Sequence, residues 1–343
     1  MSSSAQHINA KAAARRLGVS AKALRLYEER GLIAPIRTAA GWRTYGPAEM
    51  ARAAEIVALR ALGLSLAQVT QVLDGEPSCL EPALATHQTV LEQRLRQLAG
   101  AVEKVRALRA GLVRGEVPAI GELPRLLGPA GEPSLALDLP WPWGGERFEL
   151  SAIRPLTYIT GPLGCGKTRL AQAIAAAMPG AAFFGLDRML AGEAMESYLA
   201  KDAGLKTRVD RRLAWLEEEG ASSSAALVAL ITGLEIEGPA ALIVDMIEQG
   251  LDHATQEALI AHLRHHAFDA RPLFMLTRSS AILDLDAVGS DEAIILCPAN
   301  HSPPTLVVPF PGAVGYEALT TCLATPEVRA RTEGVIAWRP QVA

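Results

Sequence analysis

The sequence predicts a multidomain fold: an all-α-rich winged helix-turn-helix, a coiled-coil helix, then an α/β domain of the P-loop type. Three observations carry this expectation. "RRLGVSAKALRLYEERGL" puts a glycine turn between two helical stretches. From Leu84 the apolar residues settle into spacings of four and three. From Ser134 onward short apolar strands alternate with helical segments, and one strand runs straight into "GPLGCGKT". The 343 residues suffice for two domains and a connector. The expected boundaries are 1–77 for the winged helix-turn-helix, 78–112 for the coiled-coil helix, 113–134 for a linker and 135–343 for the α/β domain.

Charge separates the two ends. Residues 1–115 hold 16 Lys and Arg against 9 Asp and Glu, although the whole chain carries −4. A basic front attached to an acidic remainder points to a polyanionic partner for the front alone. No apolar run approaches the roughly 18 residues a membrane span requires, and "MSSSAQHINAKAAARR" has no signal-peptide core. Four cysteines, Cys79, Cys165, Cys297 and Cys322, fall at spacings that fit neither a disulfide framework nor a zinc knuckle. These features predict a reducing, cytoplasmic and nucleoid-associated setting without a membrane.

Taken in chain order, residues 8–17 form a first helix that stops at Gly18. Ser20 caps a second, "AKALRLYEERGL", that stops at Gly31. "IAPIRTAAGWRTYG" reads as a two-stranded wing. Residues 47–60 and 65–73 are two further helices separated by "LGLS". Leu91, Leu95, Leu98, Val102 and Val105 then make a coiled-coil seam, which one helix cannot bury by itself. Either the body of the chain or a second copy must cover it, and pairing matches the two half-sites such readers commonly grip. Gly and Pro crowd residues 111–134 and mark the linker. Beyond it, "SLALDL", "RPLTYIT", "AALIVD", "PLFMLT", "AIILC" and "TLVVP" read as strands.

Along its whole length, "RRLGVSAKALRLYEERGLIAPIRTAAGWRTYGPAEMARAAEIVALRALGLSLAQVTQVLDG" resembles the DNA-binding domain of the MerR family. The shared marks are the "GVS" turn, "LRLYE", "GLIAP", the wing and "LGLSL". Lys22, Arg25 and Arg43 are candidates to neutralise phosphates, and Ser20, Tyr27 and Tyr45 to fix register through hydroxyls. Arg37 on the wing is a candidate to reach a groove. The resemblance implies a homodimer on double-stranded promoter DNA with an overlong spacer, and RNA polymerase as a partner. Leu26 and Trp42 depart from residues the family often carries. Family metal sensors place a cysteine just before the long helix, as Cys79 stands here with His87 one to two turns on. That leaves open an alternative, a metal- or thiol-sensing regulator, although thiolate sites generally need further soft ligands.

"TYITGPLGCGKTRLAQAIA" sets the P-loop, Gly161, Pro162, Leu163, Gly164, Cys165, Gly166, Lys167, Thr168 and Arg169, between a strand and a helix. Its glycines admit backbone N–H groups to phosphate oxygens, Lys167 adds a point charge, and the Thr168 hydroxyl suits magnesium. Cys165, beside Lys167 and a helix N-terminus, is expected to have a depressed thiol pKa, and its oxidation would obstruct phosphate binding.

"LIVDMIEQGLD" and its surroundings resemble ABC-type ATPases of the RecF-like and SMC-like branches. The resemblance implies ATP and Mg2+ as cofactors, Asp245 with Thr168 at the metal, and Trp143, with Trp141 as second choice, stacked on adenine. Three positions depart from that pattern: Met246 replaces the general base, Ser224 the signature glycine and Arg278 the switch histidine. A thioether cannot take water's proton, and loss of a general base typically costs about 10²–10⁴-fold. Glu248, two residues further on, is the remaining catalytic candidate. The expected function is therefore a nucleotide-responsive regulator that binds ATP and hydrolyses it weakly or not at all. One alternative is an active DNA-dependent ATPase in repair or chromosome handling. Another is a binding module with a vestigial P-loop.

Overall fold

In the computed structural model, residues 7–19, 21–38, 41–115, 134–150, 153–189, 199–266, 271–289 and 291–330 are described. Ser20, most of the expected linker and the C-terminal end of the expected 135–343 domain lie outside them. The chain divides into two compact units, Met1–Val117 and Pro118–Ala343.

In the first unit, β1 (Ile8–Asn9) leads into α1 (Ala10–Leu17), whose N-terminus is capped by the Asn9 side chain accepting from the Ala12 N–H. Gly18 ends α1 at φ 69, the left-handed C-cap that glycine adopts without Cβ strain. Next come α2 (Ala21–Glu29), β2 (Ile36–Arg37) and β3 (Arg43–Tyr45). The wing is one strand larger than the sequence suggests, because β1 pairs with β3 to give the antiparallel order β1-β3-β2. α3 (Pro47–Ala61) and α4 (Leu66–Leu73) follow, and Ser65 and Gln68 form a reciprocal capping box on α4. Leu24, Tyr45, Ile56, Leu66 and Val69 fill the core beneath them.

A single helix, α5 (Leu80–Val113), occupies the expected coiled-coil stretch. Its 34 residues span about 51 Å at 1.5 Å per residue. Leu91, Leu95, Leu98, Val102 and Val105 are all exposed along it, Leu95 at 70%.

The second unit opens with a hairpin of β4 (Leu135–Asp138) and β5 (Arg147–Leu150), whose turn is "LPWPWGGE". Then follow β6 (Leu156–Thr160), α6 (Lys167–Ala177), β7 (Ala181–Phe184), α7 (Ala203–Glu218), α8 (Ala225–Glu235), β8 (Ala241–Val244) and α9 (His253–His266). β9 (Leu273–Leu276), β10 (Glu292–Leu296), β11 (Thr305–Leu306), α10 (Tyr316–Cys322) and α11 (Pro326–Ala330) complete it. The main sheet runs β11-β10-β6-β9-β8-β7, parallel throughout except for β11. Central strands of a parallel sheet are covered on both faces and so read as unbroken apolar runs, as "ALIV" and "LFML" do.

Alternation along β8 sorts the core. Leu242 and Val244 join α7, α8 and α9 on one face, whereas Ile243 joins Leu170 and Ile174 of α6, together with the hairpin, on the other. The loops after β6, β7, β8, β9 and β10 consequently emerge along one edge, where open α/β sheets bind their ligands. β5 and β7 are additions to the strands read from the sequence.

Candidate functional site

On the first unit, Arg25 is exposed on α2 and its Nε donates to Glu29 at 2.7 Å, one turn on. Such a surface pair holds the guanidinium only loosely. Arg37 and Arg43 face each other across the wing. Like charges directly opposite repel, but the Arg43 Nη1 donates to Glu28 at 2.7 Å and this bond raises its pKa. Arg37 stays exposed, its Nη1 donating at 3.4 Å to the Gly41 carbonyl. Trp42 at the wing tip is 75% exposed.

Two expected backbone contacts are corrected. Tyr45 is fully buried and its hydroxyl donates to Glu28; desolvation first and that hydrogen bond second raise its pKa well above the ordinary range. Tyr27 is likewise packed into the core. An aromatic ring supplies more apolar area than a phosphate contact would use, so both serve packing. Glu28, which the sequence reading passed over, organises Tyr45 and Arg43 together. Of Lys22 only the helical backbone is described, and Ser20 lies outside the described residues.

Cys79 is half-buried against the core of this unit. Among the described residues, no group of three or more His, Cys, Asp or Glu is placed to hold a metal ion.

On the second unit, the loop after β6 turns through Gly161, Gly164 and Gly166 at φ 151, 80 and 99, left-handed values that exclude most side chains. Gly166 has a second reason: a methyl group there would lie 2.6 Å from the Trp143 ring. As the N-cap of α6, Gly166 has no side chain to occupy the first N–H groups of the helix, which leaves them for an anion. The buried Lys167 Nζ donates to the carbonyls of Gly161 at 2.8 Å and Pro162 at 2.7 Å, and to the Cys165 Sγ at 3.6 Å. Thr168 is exposed, and its hydroxyl donates to the Asp245 carboxylate at 2.7 Å. Those two residues are far apart in sequence and meet because β6 and β8 end on the same edge of the sheet. A hydroxyl beside a carboxylate is a hard-oxygen donor set of the kind magnesium takes together with phosphate oxygens. The residues therefore fit a magnesium–nucleoside triphosphate.

Of the two candidate aromatics, the first-choice Trp143 is buried and the second-choice Trp141 is exposed. Trp143 is 1% exposed and its indole N–H donates to the Ser302 carbonyl at 3.0 Å, so it holds the loop from below. Trp141 is 73% exposed, with the Arg169 guanidinium 4.8 Å from its ring centre.

Around the acids, Met246 has φ 45, unusual for a residue with a side chain. Glu248 is buried and accepts the Arg278 backbone N–H at 3.0 Å, joining this turn to the end of β9. The Arg278 Nε is buried without a hydrogen-bond partner among the described residues. Ser224 caps α8, its Oγ accepting the Leu227 N–H at 3.2 Å. Asp252 caps α9 through the Thr255 N–H at 2.8 Å.

Arg188 escaped sequence reasoning. Its buried guanidinium donates to the carbonyls of Gly185 at 3.0 Å, Asp245 at 2.5 Å and Met246 at 2.6 Å. Burial lowers its pKa, against the attraction of Asp245, Glu248 and Asp187. No spacing rule marks a lone arginine that binds carbonyls from other strands.

Two helices joined at Gly18, a β-wing and a long following helix define a winged helix-turn-helix regulator. The family model for the MerR HTH family regulatory protein matches residues 8–76. A probable heavy metal-dependent transcriptional regulator of Haemophilus influenzae is 36% identical over 105 residues, which are 29% of this chain and 82% of that relative. The chain belongs to the MerR family of transcriptional regulators, with the helix-turn-helix as its DNA-binding part.

Among solved structures, the chain is similar to a MerR family regulator lacking the sensor domain and bound to promoter DNA. Identity is 20% and the TM-score 0.29, over 33% of this chain and 93% of that one. It is also similar to the ADP conformation of an ATP-binding cassette of an ABC transporter, at 15% identity and a TM-score of 0.37, over 59% of this chain and 99% of that one. No helix among the described residues is long and apolar enough to cross a membrane.

Proposed function

We propose that this MerR-family regulator grips promoter DNA as a homodimer and holds ATP with magnesium in its α/β unit as the effector. Occupancy of that unit is the signal, and turnover is slow or absent. The observation that carries the reading is the 2.7 Å contact between Thr168 and Asp245 beside Lys167, in the same chain as a MerR helix-turn-helix. When ATP arrives, Lys167 exchanges its loop carbonyls for phosphate oxygens. Thr168 and Asp245 would hold the magnesium, and exposed Trp141 is available to the base.

Slow or absent turnover is what the neighbouring side chains support. Met246 offers no proton acceptor, and Glu248 is turned to the Arg278 backbone. Leu95 and Leu98, both exposed, supply the seam for the second copy. RNA polymerase is the partner whose promoter access the bound dimer would alter.

The test is promoter binding and opening titrated with ATP, ADP and a non-hydrolysable analogue, for the wild type and Lys167→Ala. Loss of one hydrogen-bonded charge on the phosphates predicts at least roughly tenfold weaker ATP binding by the variant. The wild type alone should respond, and to the analogue as well as to ATP. Identical promoter output from filled, empty and Lys167→Ala protein would sink the proposal. Multiple turnovers per second of phosphate release would instead mark a working DNA-dependent ATPase.

A further inference from the structure

Three features place a second thiol against the phosphate loop. β6 and β10 are parallel neighbours with Leu296 beside Thr160, so the residue that follows β10, Cys297, stands beside the start of the loop. Its N–H donates to the Thr160 carbonyl at 2.8 Å, which fixes it to the sheet. A methyl group on Gly161 would collide with the Cys297 carbonyl oxygen and lie 2.7 Å from the Cys165 Sγ, so the two cysteines flank one glycine. Both are buried, at 1% and 0% exposure. Cys165 and Cys297 belong to the same buried cluster on the α6 face of the sheet, and the Lys167 ammonium approaches the Cys165 sulfur at 3.6 Å.

We propose that Cys165 and Cys297 are a reversible dithiol–disulfide pair beneath the phosphate loop, closed by hydrogen peroxide and reopened by thiol reductants, that sets the loop's affinity for nucleotide. The inference rests on the nucleotide-binding reading for its consequence, though not for its chemistry.

The neighbouring Cys297 thiol first, and Lys167 after it, lower the Cys165 pKa against desolvation, which favours the thiolate form of the sulfur. It attacks one peroxide oxygen. The S–O bond forms, the O–O bond breaks, and the departing hydroxide takes the Cys297 proton to become water. Cys165 is thereby oxidised by two electrons to the sulfenic acid, and peroxide is reduced. The Cys297 thiolate then attacks that sulfur, forming the disulfide as the S–O bond breaks and a second hydroxide leaves, to be protonated by solvent. Two exchanges with an added thiol reverse the reaction.

The mechanical consequence follows from which partner is anchored. A disulfide holds its sulfurs at about 2.05 Å. Cys297 is fixed at the end of a central strand, so the loop carrying Cys165 must move. Lys167 simultaneously loses the thiolate that neighbours it. The N–H groups that would cradle phosphate shift away from their common centre.

The experiment treats the full-length protein with hydrogen peroxide and then dithiothreitol, maps cross-links by peptide mass spectrometry, and measures ATP affinity at each stage. The expected result is a Cys165–Cys297 peptide lighter by two hydrogens, with ATP affinity lowered roughly tenfold, as when a charged hydrogen bond is lost, and recovered by dithiothreitol. Cys297→Ala should bind ATP and show no reversible response. Wild type carries the same test if that variant proves unstable. A cross-link elsewhere, no cross-link, or a Cys165–Cys297 cross-link with unchanged affinity overturns the proposal. Failure of the reduced wild type to bind ATP sinks the nucleotide reading instead, while the mapping still decides whether the pair forms.

Discussion

Met246 contributes its backbone to this centre. Its carbonyl is gripped by Arg188, and its left-handed φ of 45 belongs to the same grip. Arg188→Leu would leave the buried Asp245 carbonyl without its donor and the Asp245–Glu248 acids without a neutralising charge, although the Gly185 and Met246 carbonyls keep backbone N–H donors from residue 188 and Gln249. Removing one partner from such a network costs about 3–5 kcal/mol, and urea unfolding should register a loss of that order in the second unit. A change below about 1 kcal/mol, the scale of an ordinary net hydrogen bond, would show that the clamp is incidental. The thiols make a second prediction, whose sign follows from linkage. Cys165 is an acid whose pKa falls from 9.0 to about 6. Its contribution to stability is therefore complete above pH 9.0 and is lost as pH falls through about 6. Thiolate ultraviolet absorbance of the wild type minus that of Cys165→Ser should titrate near the lower value. Cys297→Ala, which removes the largest cause, should move the midpoint upward. A midpoint already in the ordinary thiol range for the wild type would contradict the arrangement.

At the scale of elements, α5 poses the sharpest question, because a 34-residue helix with Leu95 and Leu98 exposed on one stripe has left its apolar face uncovered. The double substitution Leu95→Glu, Leu98→Glu should convert a dimer to monomer in sedimentation equilibrium while the helical signal of each unit persists. An unchanged mass would exclude this stripe as the dimer seam. The stripe was legible in the sequence because helical periodicity is local, and so were Gly18, Gly31 and the P-loop, each set by neighbouring residues. What escaped depends on contacts between distant segments. β1 reads as the start of a helix until its pairing with β3 is known. "AAFF" is too short to declare itself as β7, and "RFEL" became a strand only by closing the hairpin on β4. A hydroxyl suggests a phosphate partner for Tyr27 and Tyr45, whereas the fold packs both rings into the core. Burial of Trp143 and exposure of Trp141 escaped the sequence for the same kind of reason. Both flank the loop in sequence, and only the fold tells which one packs on Gly166.

At the scale of the whole molecule, any communication between ATP and DNA must obey reciprocity. If ATP changes affinity for the promoter by some factor, the promoter must change affinity for ATP by the same factor, because both describe one coupling free energy. Typical couplings of about 1–3 kcal/mol correspond to factors of roughly 5–150. Tight ATP binding alone produces none, since a ligand with equal affinity for two states shifts neither. Four dissociation constants therefore decide the question: promoter with and without ATP, and ATP with and without promoter, all at one salt concentration because phosphate contacts make DNA affinity strongly salt-dependent. The two ratios should agree and differ from one. Lys167→Ala should bring the promoter ratio to one by emptying the nucleotide loop. The Leu95→Glu, Leu98→Glu protein should bring both ratios to one while still binding ATP, because in the proposed dimer the seam would hold two copies of the reader in register. Ratios of one in the wild type would mean that the loop and the helix-turn-helix share a chain without sharing a signal. Equal ratios that survive loss of the seam would place the coupling inside each subunit and remove the dimer from the mechanism.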